Sequence, residues 1–140
     1  SSMVVLAEQD GKRILLTGDA RGDHVVKGLK ESGLLAADGT IHVDIYKVSH
    51  HGSNKNSEPA TFKAIFADHY VISGDQVAHP ENPSPDVVQW IVQARQKYRP
   101  DEPYTIWMTY DLPELKTQVS APGRVVTPEA GETFMSIDLT

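Results

Sequence analysis

A chain of 140 residues, 39% hydrophobic and 23% charged, has room for one globular domain with its own apolar core. Its formal charge, 13 − 19 = −6, excludes a general attraction for nucleic acid or anionic membrane, and no apolar run approaches the roughly 20 residues of a membrane-spanning helix. The lack of cysteine excludes disulfides and thiolate metal sites; it leaves the compartment open, with a soluble, cytoplasmic protein the favoured reading.

The first residues lack the basic start and long apolar core of a signal peptide, and read as a strand entered in mid-fold. Met3 to Glu8 and Lys12 to Thr17 are β-rich runs joined by Gln9-Asp10-Gly11, a strong hairpin signal. Asp23 to Leu35 has the apolar spacing of a helix, with Gly33 near its end. Ile41 to Ser49 reads as a strand, followed by a polar loop. Ser57 suits the N-cap of a helix whose apolar face is Phe62, Ile65 and Phe66. His69 to Ser73 reads as a buried strand. Ser84-Pro85-Asp86 opens an amphipathic helix to about Tyr98. Tyr104 to Tyr110 alternates as a strand, and Arg124 to Thr127 and Thr133 to Leu139 read as short strands around a turn at Pro128 to Gly131. The order β-β-α-β-α-β-α-β-β-β predicts an α/β fold, mostly parallel and flanked by antiparallel hairpins.

Two strands end abruptly in metal-ligand side chains. Leu15-Leu16-Thr17-Gly18-Asp19-Ala20 presents a carboxylate, and Lys47-Val48-Ser49-His50-His51-Gly52-Ser53 presents two imidazoles. Ligand sites of α/β sheets lie beyond the carboxyl ends of strands, and imidazole is a common zinc ligand. Alone, Asp19 reads first as the cap of the following helix, and His-His as a surface pair. Neighbouring side chains on a strand point to opposite faces, so both histidines reach one ion only if the backbone turns. His79-Pro80 lies in a third loop after a strand, where His79 suits acid/base work or a substrate phosphate as well as simple exposure. Asp75 reads as a turn residue. His24, His42 and His69 read as structural or exposed, Trp90 and Trp107 as packing residues, and Tyr110 as a rim residue.

Taken together, these motifs resemble the metallo-β-lactamase fold superfamily, with the closest look to the metallo-hydrolase domain of competence-type DNA-uptake proteins. The resemblance runs from about Val4 to about Thr109. It implies half of a four-layer αβ/βα sandwich, with residues 1–140 forming the C-terminal portion of such a domain. It implies two divalent metal ions, zinc favoured, in the complete enzyme. Asp19 would bridge them, and one of His50 and His51 would be the last ligand. His51 is favoured because His51-Gly52-Ser53 is similar to the pattern in tRNA-processing relatives. His79 looks like the family's substrate-side histidine. The chain departs from the family in having no His-x-His-x-Asp-His motif and no histidine upstream of the Gly-Asp-Ala aspartate. The N-terminal half is therefore expected to be missing.

The parent protein is then expected to be a metal-dependent hydrolase of a phosphodiester or nucleotide-like substrate, and this chain alone to be inactive with weak or no metal binding. The alternative is a non-catalytic domain that assembles with a partner or with itself through the exposed sheet face.

Overall fold

The computed structural model describes residues 3–49, 52–55, 57–74, 82–109, 124–128 and 135–139 in full, and residues 50 and 51 by backbone alone. The chain runs β1 (Val5–Gln9), β2 (Lys12–Leu16), α1 (Gly22–Glu31), β3 (Ile41–Lys47), a 3-10 turn (Ser49–Gly52), α2 (Pro59–Ala64), β4 (Ile65–Ile72), α3 (Pro85–Tyr98), β5 (Thr105–Met108) and β6 (Val125–Val126). It is an α/β fold around one mixed six-stranded sheet in the order β1-β2-β3-β4-β5-β6. Among the described residues no helix is long and apolar enough to cross a membrane.

β1 and β2 form the antiparallel hairpin that Asp10-Gly11 predicts. Both turn residues have positive φ, 52° and 79°, as a type I′ turn requires. Every later pairing is parallel. Because the strand order never reverses, right-handed crossovers carry α1, α2 and α3 to the same face of the sheet.

Burial agrees. The register aligns Leu6, Leu15, Tyr46, Tyr70, Ile106 and Val125 across all six strands. Leu15, Tyr46, Tyr70 and Ile106 are each 0% exposed. The next row, Val5, Leu16, Lys47, Val71, Trp107 and Val126, points to the other face. There Leu16 is 44% exposed and Val5 38%, and the rest are half-buried.

On the covered face Arg95 of α3 is fully buried. Its guanidinium donates to the carbonyls of Ala67 at 2.9 Å and of Glu102 and Pro103 at 3.2 Å, and lies 4.8 Å from the Tyr104 ring centroid. It ties α3 to β4 and to the approach to β5.

Several elements differ from the sequence reading. Ile65 and Phe66 belong to β4 rather than to the helix before it, since they pair with Ile41 and His42. The N-cap of α2 is Glu58 rather than Ser57, and no side chain caps it. His42 and His69 lie in β3 and β4, as the strand readings place them: His42 Nε2 lies 2.8 Å from Asp68, and His69 Nδ1 accepts from Trp107 Nε1 at 3.0 Å. Trp107 is a half-buried residue of the less covered face rather than of the core. At the chain's end β6 pairs parallel with β5, and residues 129–134 of the expected closing hairpin lie outside the described residues. Residues 135–139 carry no strand, although they alternate between half-buried and exposed. Ser84 behaves as expected and accepts from the Asp86 amide at 3.2 Å as the cap of α3. Tyr110 and most of the predicted turn from Pro128 to Gly131 lie outside the described residues.

Candidate metal centre

β2 and β3 are parallel neighbours with Leu16 opposite Lys47, so their carboxyl ends reach the same rim. Beyond β2 the chain turns at once, closed by the Ala20 amide on the Thr17 carbonyl at 3.0 Å. Gly18 sits in this turn with φ 52°, a left-handed conformation that costs glycine little. Asp19 is thereby presented at an exposed position on the rim. It does not cap α1: the N-cap is Arg21, whose side chain accepts no helix amide, and Asp23 of the first turn accepts from the His24 amide at 3.0 Å.

Beyond β3 the chain also turns. Ser49 to Gly52 forms one 3-10 turn, so the strand alternation that would separate the two histidines does not apply. The side chains of His50 and His51 lie outside the described residues, as do Asp75 and His79. The structure therefore brings the Asp19 turn and the His50–His51 backbone to one rim.

The two turns are clasped by hydroxyls that the sequence reading passed over. Thr17 Oγ1 donates to the Lys47 carbonyl at 2.6 Å, and Ser49 Oγ donates to Thr17 Oγ1 at 2.8 Å. Both residues are fully buried. Their signal was positional: Thr17 stands two residues before Asp19, and Ser49 one residue before His50.

The histidine turn is held from its other side as well. The Ser84 amide donates to the Gly52 carbonyl at 2.9 Å, and Asn54 Nδ2 donates to Asp86 at 3.2 Å. A Cβ on Gly52 would lie 2.8 Å from Ile72 Cγ2 and 3.1 Å from Pro83 Cβ, so only glycine lets the turn sit this close to β4 and to Pro83 ahead of α3.

Lys47 places a cation beside this rim. Its ammonium donates to the Val48 carbonyl at 3.2 Å. Burial holds it below the ordinary lysine range, against the opposing pull of the Asp19 carboxylate. A recess of about 60 Å³, lined by Arg21, Asp23, Lys55, Ser57 and Glu58, carries two cations and two carboxylates and so has no net preference for an anion.

The donor chemistry fits part of a metal sphere. Asp19 offers a carboxylate oxygen, and the turn beside it carries two imidazoles. Among the described residues no group of three His, Asp or Glu side chains could hold an ion. Comparison of the chain with family models, curated proteins and solved structures finds no match in any of the three.

Proposed function

We propose that this chain is the C-terminal half of a metallo-β-lactamase-like hydrolase, one α/β side of a four-layer αβ/βα sandwich, acting on a phosphodiester or nucleotide-like substrate. The observation that carries the reading is the buried Ser49–Thr17–Lys47 hydrogen-bond chain, which fixes the Asp19 turn against the His50–His51 turn. A carboxylate and an imidazole on clasped, turn-locked loops are what a preorganised metal centre needs. The half-exposed sheet face supports the same reading, as the surface that a second α/β half would cover.

In this reading Asp19 would help hold two divalent ions, zinc favoured, and His51 rather than His50 would be the last ligand. Thr17 and Ser49 hold the two ligands at fixed separation, and His79 attends the substrate. Such ions, when bound, supply an acidified water and a charge clamp on the attacking and leaving oxygens. One carboxylate and one or two imidazoles fall short of the three protein ligands usual for catalytic zinc. The chain alone therefore binds metal weakly and does not hydrolyse.

Turnover of bis-p-nitrophenyl phosphate with added zinc or manganese tests this. The isolated chain is expected to show none, and robust turnover abolished by Asp19→Ala would contradict its inactivity. In the protein extended upstream of Ser1, a His-x-His-x-Asp-His motif is expected. Turnover there should collapse with Asp19→Ala or His51→Ala, and turnover indifferent to both substitutions rejects the hydrolase reading.

A second reading is favoured by the same half-exposed face: a non-catalytic domain that assembles with a partner or with itself. A strict monomer at high concentration in size-exclusion chromatography counts against its self-association form.

A further inference from the structure

β1 ends the sheet, and among the described residues it pairs with β2 alone. Met3 and Val4 lead into it; they are 79% and 39% exposed, and Val5 within it is 38% exposed. Natural sheet edges are commonly blunted by lysine, proline or a bulge. Met3-Val4-Val5-Leu6-Ala7 has no lysine, no proline and no charge.

Grooves flank this edge on both faces of the sheet. On the helix side lies one of about 230 Å³, lined by Val4, Leu6, Leu15, Val25, Leu29 and Leu34 among others. On the other side lies one of about 530 Å³, lined by Ala7, Ile14 and Leu139 and, toward the hairpin turn, by Glu8, Gln9, Asp10 and Lys12. A strand laid along β1 sends alternate side chains to opposite faces, so each groove would take one set. Backbone bonds along an edge with pockets for alternate side chains is the geometry of strand addition.

We propose that β1 is a self-association edge, occupied by β1 of a second copy running antiparallel and centred on Val5. Val5 then faces Val5 of the second copy, Val4 faces its Leu6, and Met3 faces its Ala7. Every pair is apolar, because all five residues of the run are apolar. Such a contact is closed by a two-fold axis and keeps both sets of helices on the same side of a continuous sheet. Charge argues for this place. Two chains of net charge −6 repel over most of their surfaces, and this edge run is uncharged. Glu8, just beyond it, is paired with Arg13 at 3.2 Å. The inference is independent of the metal-centre reading.

The test is sedimentation velocity across a concentration series, with backbone amide exchange at each concentration. The 140-residue chain is expected to pass from monomer to dimer while exchange slows over residues 3–7. Val5→Lys should weaken the association about tenfold or more, by placing like charges opposite each other. Met3→Lys, at the most exposed of these positions, should act in the same direction and leave the fold's thermal midpoint unchanged. A monomer at every concentration overturns the proposal. So does a dimer indifferent to both substitutions, or one whose protection lies at Leu16, Val71 and Trp107. Protection of residues 3–7 that does not depend on concentration also overturns it, since a segment of the same chain would then occupy the edge.

Discussion

Leu15 and Leu16 are adjacent and chemically identical, yet Leu15 is 0% exposed and Leu16 is 44% exposed. They stand for the two faces of the sheet. One is packed under three helices, with tyrosine rings meeting across β3 and β4. The other has apolar and aromatic residues only half withdrawn from water. The difference comes from topology rather than composition: the strand order does not reverse from β1 to β6, and the right-handed crossovers that carry α1, α2 and α3 lie on one side. A doubly wound sheet would cover both faces and create a crevice where its order reverses. Among the described strands the order shows no such reversal, and the candidate chemistry lies at the rim where Thr17 continues the buried side of β2.

The largest effect expected from this contrast is at Leu15. Leu15→Ala should cost about 2–5 kcal/mol in denaturant unfolding, because the helices cannot collapse into the void. Next is Thr17→Val, which keeps the shape but leaves the buried Ser49 hydroxyl without its acceptor and the Lys47 carbonyl without its donor. A loss of about 1–3 kcal/mol is expected, with faster amide exchange at residues 49–52. Tyr46→Phe runs the other way. The Tyr46 hydroxyl is buried with no hydrogen-bond partner among the described residues, so its removal should stabilise by about 1 kcal/mol.

The same residue gives the pH dependence. Burial raises the phenols of Tyr46, Tyr70 and Tyr104, so the folded state favours their neutral forms. Their contribution is complete below the ordinary phenol pKa of about 10 and is lost as pH rises above it. Denaturant midpoints should therefore fall in alkali, and Tyr46→Phe should move that fall to higher pH. The smallest effect is at Leu16, where Leu16→Ala should cost about 0.5 kcal/mol or less. A cost there equal to that at Leu15 would mean that the second face is packed too.

What was legible in the sequence was local. Asp10-Gly11 fixes its hairpin through two positive φ angles, and Ser84-Pro85-Asp86 starts α3 through a cap two residues long. Ile65 and Phe66 continue an apolar run from Phe62 that suits a helix and a strand equally. Only pairing with Ile41 and His42, more than twenty residues away, decides it. The rim was half legible. Asp19 and the histidine pair announce themselves by residue type at strand ends. Thr17 and Ser49 do not, because a threonine and a serine 32 residues apart carry no sign that their hydroxyls meet. Thr133 to Leu139 shows that alternation alone is insufficient, since its described part alternates in burial without joining the sheet.

The central claim, that the Asp19 turn and the His50–His51 turn form half of a metal centre, is tested most directly by adding manganese(II) to the isotope-labelled chain and following amide signals. Paramagnetic broadening should appear together at Gly18 to Ala20 and at Ser49 to Gly52, and vanish from both in Asp19→Ala. Broadening centred instead on Asp44 and Asp68, midway along β3 and β4, or broadening at the rim that survives Asp19→Ala, would contradict it.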